Sequence, residues 1–270
     1  MNIHTDRCRA FRELHASGCF VIPNPWDLGA ARILASLGFK ALATTSAGFA
    51  WSTGRADNGV ALDDVLAHCR VLTAGVDLPV SADFEGGFAV EPAQVAANVA
   101  AAAATGLAGL SIEDSTRDPA APLFERGLSV ERIAAARRAI DASGAGLVLT
   151  GRSEGFLVGR PDLSETIARL VAYAEAGADC LHAPGLQRAE DIAAVVRAVA
   201  PKPVNVLVSG GFTTVAALAD LGVRRISVGG ALARAAWVGF LRAAREIAAD
   251  GTFTALDDAV SGAEMNGLFR

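Results

Sequence analysis

The amino-acid sequence predicts an α/β protein, a (β/α)8 barrel formed by one domain, and three observations support this fold class. Eight short runs rich in Val, Ile, Leu and Ala alternate with helix-length segments along the 270 residues. Few of these runs alternate polar with apolar residues, which indicates parallel strands buried on both faces. No shift in composition and no Pro/Gly/Ser-rich linker divides the chain, which favours a closed barrel over the main alternative, a doubly wound open sheet.

The predicted strands are the short apolar runs, which cover residues 19–23, 41–45, 80–84, 109–113, 146–151, 180–184, 204–208 and 225–229. The predicted helices between them cover residues 62–74, 92–105, 129–142, 163–176, 189–200 and 213–221. The residues placed to start these helices are Asp63, Glu91, Ser129, Asp162 and Thr213. Glycine follows many of the helices, where it takes a left-handed backbone without a Cβ clash.

The chain continues beyond the eighth predicted strand. Residues 231–249 are predicted to form one long helix, and residues 254–270 form a short tail. We therefore expect a single barrel domain over residues 1–270, with residues 231–270 as a C-terminal helical extension. Hydrophobic residues make up 52% of the sequence, more than in an average soluble domain. We expect part of this excess to lie on the last helix, buried against a partner subunit.

Composition excludes several classes of protein. No apolar run reaches the roughly 20 residues of a membrane-spanning helix, and residues 1–7 contain no apolar core of a secretory signal. The four cysteines are scattered without metal-type spacing, so we expect reduced thiols in a cytoplasmic protein. A net charge of −5 without a basic run makes nucleic acid an unexpected partner.

Acidic side chains are predicted to converge at the carboxyl ends of neighbouring strands, the catalytic face of such a barrel. Asp83 and Glu113 occupy the last inward positions of their predicted strands, and Asp57 and Glu85 stand in the adjoining loops. Carboxylates crowded on one face repel one another unless a cation joins them or they hold protons. Oxygen ligands without a His or Cys cluster point to Mg²⁺ or Mn²⁺ rather than Zn²⁺.

Arg152 follows a fully apolar predicted strand. An arginine at a buried strand end needs an anionic partner, either one of these carboxylates or a substrate carboxylate or enolate, and we favour the substrate. The only lysines, Lys40 and Lys202, precede strands at the opposite side of the barrel. Schiff-base chemistry needs a lysine on the catalytic face, so we expect a metal ion to polarise a carbonyl substrate instead.

Two aromatic side chains are weaker candidates for the site. His182 lies on the sixth predicted strand, and a lone histidine in an apolar strand is more often a core residue with its hydrogen bonds satisfied than a catalytic one. Trp26 follows the first predicted strand, where it is suited either to wall the pocket or to pack structurally.

A series of short motifs runs in order along nearly the whole chain: Asn-Pro-Trp-Asp at 24–27, Thr-Thr-Ser-Ala-Gly at 44–48, Ser-Ala-Asp-Phe-Glu-Gly-Gly at 81–87, Ile-Glu-Asp at 112–114, Gly-Arg-Ser-Glu at 151–154, Ala-Gly-Ala-Asp at 176–179, Pro-Val-Asn-Val at 203–206 and Ser-Val-Gly-Gly at 227–230. Each motif alone is modest, but the ordered set is specific. Together with Asp57, the set resembles the isocitrate lyase/phosphoenolpyruvate mutase superfamily.

The resemblance implies a barrel whose last helix swaps between subunits, usually in a homodimer or homotetramer. It implies Mg²⁺ held at Asp83, with Asp57, Glu85 and Glu113 contacting the ion directly or through water. It also implies an enolate of pyruvate or a relative, formed by breaking a C–C or P–C bond. The backbone amides of Ser46, Ala47 and Gly48 are expected to receive a carboxylate or oxyanion. The residues expected to bind this substrate are Trp26, Ser46, Ala47, Gly48, Arg152, His182 and Asn205. Arg152 and Glu113 are the expected catalytic residues.

The sequence departs from two branches of this superfamily in the lid after strand four. The lyase branch carries Lys-Arg-Cys-Gly-His there, whereas residues 115–122 contain neither Cys nor His, so isocitrate or methylisocitrate cleavage is not expected. The Asn of the mutase lid is missing too. The acidic or His residue expected at the end of strand six is Pro184, with His182 predicted one layer deeper. The chain is most similar to lidless members, some of which look like oxaloacetate decarboxylases.

We therefore predict a Mg²⁺-dependent lyase or decarboxylase of a small 2-oxo or 2-hydroxy dicarboxylic acid, oxaloacetate-like, acting through a pyruvate-type enolate. Two alternatives stay open: a phosphonopyruvate-type P–C bond mutase or hydrolase, and a non-catalytic relative that binds 2-oxo acids. The loop 117–126 is expected to set the substrate. The expected partners are the small acid and further copies of the chain, without nucleic acid or membrane.

Overall fold

The computed structural model describes residues 3–269 and confirms the (β/α)8 barrel. The strands β1 to β8 are Phe20–Ile22, Leu42–Ala43, Val80–Asp83, Gly109–Glu113, Val148–Arg152, Cys180–His182, Val204–Leu207 and Arg225–Ser227. They form one parallel sheet in the order β1-β8-β7-β6-β5-β4-β3-β2. The amide of Ala43 donates to the carbonyl of Pro23 over 3.0 Å, and this bond brings the two ends of the sheet together.

The helices α1 to α11 are Ile3–Ala16, Leu28–Ser36, Ser46–Ser52, Leu62–Gly75, Pro92–Ala103, Arg126–Ser143, Leu163–Glu175, Ala189–Val199, Val215–Asp220, Ala231–Asp250 and Gly262–Gly267. A short 3₁₀ turn, Thr254–Leu256, follows α10. Asp162 starts α7 as predicted, since its side chain accepts the amide of Glu165 at 3.0 Å. Ser129 does not start α6: this helix begins three residues earlier, and Ser129 is buried inside it.

Helix α1 closes the amino-terminal end of the barrel. Phe11 is fully buried there, and its ring makes edge contacts with His15 and Phe20 at 4.6 and 6.4 Å. Gly109 at the start of β4 is needed for this fit. A Cβ at that position would lie 2.8 Å from both the Phe11 ring and the carbonyl of Val148. The amino-terminal end of the barrel is therefore filled by α1.

Acid is expected to destabilise the protein through His15. Its Nδ1 lies 2.7 Å from the carbonyl of Phe11, and its Nε2 accepts a hydrogen bond of 3.2 Å from Arg225. Burial, aided by the charge of Arg225, lowers the pKa of His15 from 6.5 to about 3. The unfolded chain therefore binds a proton that the folded protein does not bind, and stability falls as the pH drops from about 6.5 towards about 3.

Chemical denaturation at pH 7 and pH 5 measures this effect. We expect the free energy of unfolding of the wild type to fall by about 2 kcal/mol more than that of His15→Gln, because the variant lacks the titrating group. An equal fall in both proteins would assign the acid sensitivity to other groups.

The C-terminal segment carries an apolar surface. Val238 and Phe240 of α10 are 65% and 60% exposed, and Phe253 and Val260 beyond it are also exposed. The apolar face of α10 therefore lies on the surface of this single chain. Among the described residues, no helix is both long and apolar enough to cross a membrane.

Candidate active site

The carboxyl ends of the strands surround a cavity of about 170 Å³. Seven of the residues predicted for the site line this cavity: Ser46, Ala47, Asp57, Asp83, Arg152, His182 and Asn205. The other predicted residues, which are Trp26, Gly48, Glu85 and Glu113, lie outside its lining. The strand ends thus bring most of the candidate residues to one place.

The register of the sheet places polar side chains of adjacent strands in one row. Glu113 of β4 pairs with Arg152 of β5, and Arg152 pairs with His182 of β6. His182 pairs in turn with Asn205 of β7, which pairs with Arg225 of β8. Paired residues of neighbouring strands point to the same face of a sheet. His182 therefore pairs in register with Arg152, two residues before Pro184.

Asp83, at the end of β3, is held from several directions. Its Oδ2 accepts hydrogen bonds from the amide and the hydroxyl of Ser46 at 3.1 and 2.9 Å. Its own amide donates to Thr44 Oγ1 at 2.9 Å. Its Oδ1 lies 3.2 Å from Nη1 of Arg152, and the side chain remains 20% exposed. Asp83 is thus a fixed carboxylate that a ligand in the cavity can reach.

Arg152 is surrounded by carboxylates. Its Nη1 lies 3.2 Å from Asp83 and 3.3 Å from Glu113, and its Nε donates to Glu154. Burial opposes the charge of this guanidinium, but the carboxylates outweigh burial and hold the pKa of Arg152 well above its usual value. Glu154 was not among the predicted residues, although it stands in the same Gly-Arg-Ser-Glu motif.

Two buried glutamates lie behind the cavity. Burial raises the pKa of Glu113 to about 8, against the lowering effect of Arg152. Burial likewise raises the pKa of Glu85 to about 7, although the charge of Arg117 lowers it. Arg117 lies in the loop between β4 and α6 and forms an ion pair with Glu85. The carboxyl groups of both glutamates therefore titrate near neutral pH.

His182 is enclosed by partners. Burial, with the charges of Arg152 and Arg225, lowers its pKa well below the usual value, so the ring is neutral at physiological pH. Its Nδ1 lies 3.0 Å from the carbonyl oxygen and 3.1 Å from the Nδ2 of Asn205. Asn205 donates to Ser227 at 2.9 Å and accepts from Arg225 at 2.9 Å. Arg225 also lines the cavity, and its only sequence signal is an arginine that opens an apolar strand.

The amides predicted to receive a carboxylate lie in the first turn of α3. The amide of Ser46 donates to Asp83, and the amide of Gly48 donates to Thr45 Oγ1 at 3.2 Å. A Cβ at Gly48 would lie 3.0 Å from the Cβ of Trp26, so the two residues pack closely. Trp26 therefore packs against the start of α3 instead of walling the cavity.

Asp114 points away from the cavity, next to Glu113 in the chain. Its carboxylate accepts hydrogen bonds from the hydroxyl of Tyr173 at 2.6 Å, from Arg169 at 3.2 Å and from the amide of Glu154 at 2.8 Å. These contacts fasten the end of β4 to α7 and to the residues that follow β5.

The carboxylates suit an open cation site rather than a closed cage. Within residues 3–269, no three Asp, Glu, His or Cys side chains form a ready metal-binding group. Mg²⁺ usually keeps several waters and takes one or two protein carboxylates, and Asp57 and Asp83 both line the cavity. These two residues fit Mg²⁺ bound partly through water, with Glu85 and Glu113 behind them.

Comparison with known proteins agrees with this geometry. Residues 11–248 match the family described as phosphoenolpyruvate phosphomutase. A solved structure from Burkholderia cenocepacia J2315, provisionally assigned as a lyase or mutase, is 52% identical with a TM-score of 0.96 and covers 99% of this chain and 98% of its own.

Two further solved structures carry named activities. A 2,3-dimethylmalate lyase is 27% identical with a TM-score of 0.86, over 100% of this chain and 95% of its own. A phosphonopyruvate hydrolase in complex with oxalate and Mg²⁺ is 25% identical with a TM-score of 0.86, over 97% and 94%. Because the family match spans most of the chain and the barrel aligns over its full length, this chain belongs to the phosphoenolpyruvate phosphomutase family, within the isocitrate lyase/PEP mutase superfamily.

Proposed function

We propose that the protein is a Mg²⁺-dependent carbon–carbon lyase or decarboxylase of a small 2-oxo or 2-hydroxy dicarboxylic acid, oxaloacetate-like, acting through a pyruvate-type enolate. The observation that carries this proposal is Arg152, whose guanidinium lies in the cavity beside Asp83 at the carboxyl ends of the strands. Family membership supports it, since a relative that aligns over the full chain is a dimethylmalate lyase.

In the proposed reaction, Arg152 binds the carboxylate of the acid and the oxygen of the enolate. In a 2-oxo dicarboxylic acid, breaking the bond to the distal carboxylate releases CO₂ and leaves the electron pair as an enolate, and the guanidinium stabilises the negative charge that grows on the 2-oxo oxygen. Asp83 and Asp57 would hold Mg²⁺, which would supply further positive charge to stabilise the enolate. Glu113 and Glu154 hold the guanidinium of Arg152 in place.

The test is the release of pyruvate or another 2-oxo acid from a panel of 2-oxo and 2-hydroxy dicarboxylates. We expect turnover of at least one acid, lost on treatment with EDTA and restored by Mg²⁺ or Mn²⁺. Arg138→Gln, on the exposed side of α6, is the matched control for variants of Arg152 and should behave as the wild type. Turnover that is insensitive to EDTA, or absent across the panel, would contradict the proposal.

A second candidate is cleavage or rearrangement of a P–C bond. The family match is described as a phosphomutase, and one aligned relative is a phosphonopyruvate hydrolase. ³¹P NMR with phosphonopyruvate tests this candidate, since either reaction moves the phosphorus resonance. Metal and 2-oxo acid binding without turnover in either assay would instead favour a non-catalytic binding protein.

We also propose a homodimer or homotetramer in which α10 packs against a partner subunit. Contiguous apolar surface is uncommon on monomers, and the Trp237 and Phe240 rings of α10 form a pair with centroids 5.3 Å apart. Phe240→Asp is expected to shift the protein to the monomer in sedimentation velocity. Val71→Asp, which changes an exposed apolar residue of α4, should leave the assembly intact. A monomeric wild type would contradict this proposal.

A further inference from the structure

Arg117 carries the loop between β4 and α6 to the edge of the active site. Its guanidinium pairs with Glu85, whose side chain is only 3% exposed. Arg117 and Glu85 both have a left-handed backbone, with φ of 65° and 49°. Residues other than glycine seldom adopt this conformation, and it persists where the surrounding structure imposes it. Glu85 stands in the loop after β3 and Arg117 in the loop after β4. Each loop thus has an unfavourable backbone conformation at the residue that forms this ion pair.

Glu85 belongs to an acidic region. The charges of Asp83 and Asp57 act on its carboxylate, and Arg117 supplies the opposing charge. In the proposed function, a divalent cation is held in this same region. The cation and the guanidinium of Arg117 are therefore attracted to the same carboxylate.

The loop can release this contact while its base stays in place. The amide of Phe124 donates to the carbonyl of Asp114 at 2.9 Å, and the guanidinium of Arg132 lies 4.1 Å from the centre of the Phe124 ring. Nearer the tip, the amide of Thr116 donates to the carbonyl of Pro122 at 3.0 Å. Arg117 is 38% exposed, so its guanidinium has room to turn away from Glu85.

A dicarboxylic acid brings two negative groups to a cavity whose lining contains two carboxylates, Asp57 and Asp83, and two guanidiniums, Arg152 and Arg225. Arg152 can bind one of them, but its guanidinium is also shared among three carboxylates. The guanidinium of Arg225 is engaged by Asn205, His15 and Thr150, so a further cationic side chain would neutralise the other group. Arg117 is placed for this role, since it reaches the edge of the same acidic region from a loop.

We infer that Arg117 is an exchangeable partner of Glu85: a divalent cation displaces it, and the freed guanidinium then binds the second carboxylate of a dicarboxylic acid. The inference rests on the proposed function, because it requires the cation and the acid to share the cavity. Arg117 is thereby a residue that determines specificity for dicarboxylic over monocarboxylic acids.

Calorimetry with two matched acids tests this inference. Malate and lactate both carry a 2-hydroxy acid group, but only malate has a second carboxylate. In Arg117→Gln, we expect malate to bind about tenfold more weakly in the presence of Mg²⁺ while lactate binds as in the wild type. By electron paramagnetic resonance, the same variant should bind Mn²⁺ about threefold to tenfold more tightly, because its competitor is gone.

The matched control is Arg9→Gln. Arg9 of α1 pairs with Asp6 at 2.7 Å at the amino-terminal end of the barrel, so its removal should change neither Mn²⁺ nor malate binding. Unchanged Mn²⁺ affinity in Arg117→Gln, or equal weakening of both acids, would overturn the inference and leave the proposed function standing. A wild type and an Arg117→Gln variant that both fail to bind Mn²⁺ would overturn the inference and the proposed function together.

Discussion

Replacing Arg152 with alanine is expected to lower kcat/KM by about a thousandfold, the scale of losing a group that stabilises negative charge in the transition state. The variant loses the guanidinium that stands in the cavity beside Asp83. It also leaves Asp83, Glu113 and Glu154 without their shared cation, so their mutual repulsion rises. Steady-state kinetics with the best acid of the panel measures this loss.

Arg152→Lys separates charge from shape. Lysine keeps the positive charge but lacks the planar fork that contacts several carboxylates at once. We expect an activity between those of the wild type and the alanine variant, with a larger fall in kcat than rise in KM. A kcat/KM of the alanine variant within tenfold of the wild type would remove Arg152 from the proposed chemistry.

Replacing Asp83 with asparagine is expected to weaken Mn²⁺ binding by about a hundredfold and to reduce turnover at low metal concentration. Asparagine retains the size of the side chain and an oxygen that can accept from Ser46, but the negative charge is lost. Excess metal should recover part of the activity, because the fold and the remaining carboxylates stay in place. Mn²⁺ titration by electron paramagnetic resonance measures the affinity directly.

Asp63→Asn is the matched control for this variant. Asp63 is an exposed carboxylate on α4, so its loss changes the net charge equally without touching the cavity. Thermal unfolding of both variants shows whether the loss of the Asp83–Arg152 pair also alters stability. Equal Mn²⁺ affinities in Asp83→Asn and the wild type would show that Asp83 does not hold the cation.

The strands were predictable because a strand buried on both faces of a barrel must be apolar along its whole length. Residues 109–113 were predicted as a strand with the same bounds as β4, and the other predicted strands overlap the observed ones. The convergence of Asp83 and Arg152 followed from the same rule, since all parallel strands end at one face. Which residues bind metal and substrate stays a prediction that the variants above test.

Other features leave little trace in the sequence. The pairing of His182 with Arg152 depends on the register between β5 and β6, which one strand alone does not reveal. The pair of Arg117 and Glu85 depends on left-handed backbones at residues that are neither glycine nor asparagine. The start of α6 was misplaced because Ser129, a frequent helix-starting residue type, here lies buried within the helix.

The row that runs from Glu113 through Arg152 and His182 to Asn205 has a consequence for how this barrel can diversify. A shift of one residue in any of these strands would turn its polar side chain to the opposite face, so insertions and deletions there are barred. The loop over residues 115–125 has no such constraint, because loops accept changes of length and composition. New substrate preferences can therefore arise through substitutions and length changes in that loop while the row of polar side chains stays unchanged.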